Sequence, residues 1–92
     1  MDLHGKCALV TGGGSGMGAS VARMLGARGA RVAVLDLNGD AAEATANEIA
    51  GLAFSADVAD ESSVKGALEE TISQIGIPRV VVSCAGVAPA SR

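Results

Sequence analysis

Thr11-Gly12-Gly13-Gly14-Ser15-Gly16-Met17-Gly18 lies between a short apolar run, Cys7-Ala8-Leu9-Val10, and a segment of helical spacing. A glycine loop placed between strand and helix can hold phosphate. Glycine lets the backbone turn sharply and approach an anion, because no Cβ intervenes. The helix that follows offers N–H groups and about half a positive charge at its first turn. The next apolar run, Val32-Ala33-Val34-Leu35, ends in Asp36, 18 residues after Gly18. An acid at that place accepts hydrogen bonds from a ribose diol. Loop, position and acid together read as a dinucleotide site.

Working outward, residues 6–11 read as the first strand, a continuous apolar run of the kind buried on both faces, and 31–36, 52–55 and 79–83 read as the next three strands. Between them, three segments repeat apolar residues at helical spacing. In the first, from Ser15 to Arg28, the apolar positions are Met17, Val21, Met24 and Leu25, and Gly29 can supply a left-handed stop. Gly26 inside it disfavours helix by about 1 kcal/mol against alanine; close packing on the sheet would explain it. Asn38-Gly39 turns the chain, Asp40 with Glu43 can form a capped helix start, and Ala42, Ala46 and Ile49 give that helix a thin stripe. Asp60 caps the third helix, whose apolar face is Val64, Leu68, Ile72 and Ile75, and Gly76 and Pro78 end it.

The order β-α-β-α-β-α-β predicts an α/β, Rossmann-type doubly wound parallel sheet in three layers, with strand order 3-2-1-4. The ligand crevice then lies at the carboxyl ends of the strands. Thr11 to Gly18, Asp36, Asp57 and Cys84 to Gly86 all fall there.

Composition bounds the alternatives. Ninety-two residues allow one small domain. A net charge of −3 and a pI near 4.9 argue against nucleic acid as partner. No run reaches the 18 or more apolar residues of a membrane span, and the first residues are not a secretory signal, so the cytoplasm is the default. Cys7 and Cys84 lie in apolar runs and read as two buried, reduced thiols. His4 reads as a surface residue, and no metal-ligand cluster is present in the sequence.

Thr-Gly-x-x-x-Gly-x-Gly, here Thr11, Gly12, Gly16 and Gly18, resembles the cofactor loop of the short-chain dehydrogenases/reductases; ordinary Rossmann enzymes space their glycines more tightly. Ala56-Asp57-Val58 resembles the acidic motif after strand three that holds the adenine ring in that family. Taken alone, Asp57 reads equally well as a turn or cap residue. Ser83-Cys84-Ala85-Gly86 resembles the family's Asn-Asn-Ala-Gly stretch beside the cofactor, with serine and cysteine in place of the two asparagines. Arg79 stands where many relatives carry an acid. The resemblance implies cofactor contacts from Gly12, Ser15, Gly16, Met17, Gly18, Asp36, Leu37, Asp57, Val58, Cys84, Ala85 and Gly86.

Ser15-Gly16-Met17-Gly18, Leu35-Asp36-Leu37 and the Cys84-Ala85-Gly86-Val87-Ala88 stretch are similar to one branch, the type 2 3-hydroxyacyl-CoA dehydrogenases. This implies hydride transfer from a secondary alcohol such as a 3-hydroxyacyl-CoA. Asp36 faces a neutral ribose well and a 2′-phosphate badly, and the next residues, Leu37, Asn38 and Gly39, are not basic. NAD is therefore expected over NADP.

The family's chemistry is implied to need a Ser, Tyr and Lys set. This sequence holds no tyrosine, and its lysines, Lys6 and Lys65, belong to no Tyr-x-x-x-Lys helix. The expectation is the amino-terminal part of a longer enzyme, with a small alcohol or ketone substrate and homo-oligomeric assembly, dimer or tetramer, when complete. Two rivals are a nucleotide-binding sensor or scaffold without chemistry, and a methyltransferase on the same sheet. The glycine loop disfavours the methyltransferase, since S-adenosylmethionine has no pyrophosphate.

Overall fold

The computed structural model describes residues 3–12, 14 and 16–84. They form β1 (Cys7–Thr11), α1 (Gly16–Ala27), β2 (Arg31–Asp36), α2 (Gly39–Ile49), β3 (Leu52–Ser55), α3 (Glu61–Gln74) and β4 (Pro78–Ser83). The strands are parallel in the order β3-β2-β1-β4, as the alternation predicts. Ala85 and Gly86, with Ser15, lie outside the described residues.

The period of two along each strand separates two cores. On one face, Ala8 and Val10 of β1 and Val32 and Val34 of β2 pack with Ala22 and Leu25 of α1 and Ala42 and Ala46 of α2. On the other, Leu9, Ala33 and Leu35 meet Ala56 and Ala67, with Leu68 of α3 beside them. The central strands β1 and β2 are therefore buried almost throughout, whereas β4 alternates between half-buried and exposed. Val80 and Val82 pack beneath the first layer, and Val81 is left 63% exposed on the α3 side.

Two helix faces and one helix contact differ from the sequence expectation, for one reason: close packing selects small residues. The buried face of α1 is Gly18, Ala19, Ala22 and Leu25, while Met17 and Met24 point outward. A long side chain would hold the helix off the sheet. The close contact at Gly26 is with α2, not with the sheet: a Cβ there would stand 3.1 Å from both Cβ and Cγ2 of Ile49. In α3 the buried positions are Ala67 and Thr71; of the expected stripe Leu68 and Ile75 pack beside the core, and Ile72 is exposed. Thr71 satisfies its hydroxyl by donating to the Ala67 carbonyl, 2.8 Å away.

The helix ends follow local chemistry. Asn38, not Asp40, caps α2, its Oδ1 accepting from the Ala41 N–H at 3.1 Å. Asp60 caps α3 as expected, accepting from the Ser62 N–H at 3.0 Å. Gly29 ends α1 with φ +95°. At the end of α2 the left-handed residue is Ala50, φ 53°, although Gly51 follows. Gly51 is committed elsewhere, because a Cβ there would run into the Val32 carbonyl oxygen.

Cys7 is buried and Cys84 only half-buried, which corrects the expectation of two buried thiols. Burial pushes the Cys7 thiol above its ordinary 9.0, and the nearby Arg31 guanidinium offsets part of this. The native state thus holds the proton more firmly than the unfolded chain. The stability this adds is complete below the unfolded value and is lost as pH rises through the folded one. Alkylation with iodoacetamide at pH 8 is expected to modify Cys84 well before Cys7, read by peptide mass. Equal rates would contradict this. Gly51→Ala is expected to lower stability by about 1–3 kcal/mol in urea unfolding. Gly66→Ala, whose Cβ would meet open space, is expected to raise it by up to about 1 kcal/mol.

Candidate dinucleotide site

The register aligns the carboxyl ends of the strands. Thr11 stands opposite Leu35 and Ser83, and Asp36 opposite Ser55. The ladder runs one step beyond each strand: the Gly12 N–H donates to the Leu35 carbonyl (2.6 Å), Ala56 N–H to Asp36 (3.0 Å), and Cys84 N–H to Thr11 (2.9 Å). The loops after β1, β3 and β4 therefore start from fixed points. Thr11 Oγ1 donates to Ser83 Oγ at 3.2 Å, which ties β4 to β1.

From Thr11 the chain turns at Gly12, φ +72°, and enters α1 through Gly16, φ +57°. Both values lie in the left-handed region that favours glycine. The first turn of α1 carries no acid, whereas α2 and α3 carry Asp40 and Glu61 there. The positive end of α1 is thus available to an anion. Gly18 is buried against the sheet, and Met17 beside it is exposed.

Asp36 ends β2 with its carboxylate turned toward this loop. Oδ2 accepts from the Gly14 N–H and Oδ1 from the Asn38 N–H, each at 2.9 Å. Two backbone donors set the side chain's direction before any ligand arrives. Each carboxylate oxygen offers two acceptor sites, so among the described residues one remains on each. The pair is the acceptor set that a vicinal diol requires.

Next to Asp36, Leu37 is 71% exposed. Ser55 Oγ donates to the Leu37 carbonyl at 3.3 Å, which holds this residue beside the end of β3. Val58, after β3, is also exposed. Two apolar side chains thus stand open on adjacent loops at the sheet edge. Asp57 behaves as a turn residue: its Oδ1 accepts from the Ala59 N–H at 2.9 Å, and its N–H donates to Ser63 Oγ at 3.1 Å.

Gly12, Gly16, Met17, Gly18, Asp36, Leu37, Asp57, Val58 and Cys84 therefore share one edge of the sheet; Ser15, Ala85 and Gly86 lie outside the described residues. Sequence reasoning missed Gly14 as the loop's contact with Asp36. A Cβ at Gly14 would stand 2.7 Å from Asp36 Oδ2 and 2.8 Å from Ala41 Cβ. Spacing alone does not say which glycine of a run meets the acid. It also missed Asn38, whose N–H orients the carboxylate.

The family model for short chain dehydrogenase matches residues 6–92. D-threitol dehydrogenase of Mycolicibacterium smegmatis is 43% identical over 91 residues, covering 94% of this chain and 35% of the relative. The 2-dehydro-3-deoxy-L-rhamnonate dehydrogenase (NAD(+)) of a Sphingomonas species is 41% identical over 88 residues, covering 95% and 35%. Among solved structures, 3-ketoacyl-(acyl-carrier-protein) reductase from Brucella melitensis complexed with NADH matches with a TM-score of 0.84 at 39% identity, covering 87% of this chain and 34% of that one. The chain spans about a third of the length of the curated relatives it matches. The family is one of oxidoreductases that bind a nicotinamide dinucleotide and act on alcohols. A family match over nearly all of the chain, joined to the 3-2-1-4 parallel sheet and its glycine loop, places this chain in the short-chain dehydrogenase family.

Proposed function

We propose that this chain binds NAD across the carboxyl edge of its sheet, and that the protein carrying it oxidises a secondary alcohol by hydride transfer. The observation that carries the reading is the Asp36 carboxylate, held by the Gly14 and Asn38 N–H groups with one acceptor site left on each oxygen. The two remaining sites take the diol of the adenine ribose. A 2′-phosphate would bring like charge against the same carboxylate, and Leu37, Asn38 and Gly39 supply no cation. The pyrophosphate rests at the start of α1, at Gly16, Met17 and Gly18, and the resemblance adds Ser15 to them. Leu37 and Val58 flank the adenine, with Asp57 at its edge. Gly12, Cys84, Ala85 and Gly86 let the backbone pass beside the nicotinamide half.

Bound NAD supplies the hydride acceptor; the residues of this chain bind and orient it. The acid/base chemistry belongs to residues this sequence does not contain, since it has no tyrosine. We read the chain as the amino-terminal part of a longer enzyme. Its share of its relatives' length and the open Val81 and Ile77 side chains support this. The narrower substrate, a 3-hydroxyacyl-CoA, rests on the Cys84 to Ala88 stretch.

NADH fluorescence titration is expected to show tighter binding than NADPH. Asp36→Ala is expected to weaken NADH by about 10- to 100-fold, the loss of hydrogen bonds to a charged group. Asp36→Asn does not restore binding, because its amide nitrogen must face one of two backbone N–H donors. Tighter NADPH binding by the wild type would reverse the cofactor assignment. The 92 residues alone are expected to bind an apolar dye and self-associate. A monomer with one cooperative melting transition would remove the longer-enzyme reading.

A further inference from the structure

Gly14 is held from two sides. Its N–H donates to Asp36 Oδ2, and its carbonyl accepts from Thr45 Oγ1 of α2 at 3.4 Å. The two bonds act on the amide and the carbonyl of one residue, so they restrain both of its backbone rotations. The Cβ space of Gly14 is occupied by Asp36 and Ala41, which leaves the segment little room to swing.

Thr45 is 3% exposed and lies 31 residues from Gly14. A threonine inside a helix usually turns its hydroxyl to the carbonyl one turn back. Thr71 does this in α3, donating to Ala67. Thr45 reaches out of its own helix to the loop instead. A buried hydroxyl spent in this way orients something that local helix geometry does not need.

We propose that Thr45 is a positioning residue for the phosphate loop. It does not touch the dinucleotide; it fixes the Gly14 carbonyl, and with Asp36 it presets the loop between β1 and α1 in the form that receives the cofactor. The ribose-reading acid and the second helix thereby hold the loop from both sides. This inference rests on the dinucleotide reading above and extends it to a residue of α2.

The test uses the full-length protein with Thr45→Val, which keeps the shape and removes the donor, and Thr45→Ser, which keeps the donor. NADH affinity, Gly14 amide hydrogen exchange in the ligand-free protein, and thermal stability are measured for each. Thr45→Val is expected to weaken NADH about five- to tenfold, the worth of one hydrogen bond, and to speed Gly14 exchange comparably. Thr45→Ser is expected to restore both toward wild type. Wild-type Gly14 exchange in Thr45→Val would overturn the inference. So would an equal loss of affinity and melting temperature in both variants, which marks packing. Failure of the wild type to bind NADH would remove the dinucleotide reading; the ligand-free exchange data still decide whether Thr45 holds the loop.

Discussion

The hydrogen bond from the Gly14 N–H to Asp36 Oδ2 joins the two parts of the sheet edge on which all else at the site depends. It connects the loop after β1 to the end of β2 across neighbouring strands. The bond is available because register sets Thr11 opposite Leu35, one residue short of Asp36. A slip of one residue would turn the Asp36 side chain to the other face of the sheet. The packing of Val32 and Val34 on one side and Ala33 and Leu35 on the other forbids that slip. The two-sided packing of β2 thus aims a carboxylate.

Close approach of backbones is the second theme, and it explains where small residues stand. Alanines and glycines form the inner face of α1, Gly26 admits Ile49 of α2, and Gly51 passes under the Val32 carbonyl. Near the end of α2, Gly51 makes the close passage, and Ala50 before it holds the left-handed conformation at a cost of about 1–2 kcal/mol. The layer of α1 and α2 is therefore thin and dense, which keeps the start of α1 near the strand ends. The opposite face is covered by α3 through Ala67 and Leu68, and Val81 stays open.

The architecture was legible in the sequence because long-range order here follows from local signals: apolar strands, helical spacing and turn residues at regular intervals. Asp36, the glycine loop and the cap at Asp60 were legible for the same reason. What escaped was decided between elements. Which methionines face outward on α1, which stripe of α3 lies inward, and which glycine meets Asp36 all depend on how near one element lies to another. Periodicity carries no distance. Asn38 displaced Asp40 as cap because the helix begins at Gly39, two residues earlier than a cap at Asp40 would start it. Ser83 became interpretable only with its partner, Thr11, in place.

The double use of Asp36 bears on how such a site can change. On the proposed reading, the residue that would discriminate between nicotinamide cofactors also holds Gly14 of the loop between β1 and α1. Replacing it with a neutral or basic side chain to admit a 2′-phosphate would release Gly14 at the same stroke. A change of charge at the end of β2 therefore also loosens the turn that follows β1, and the two properties move together.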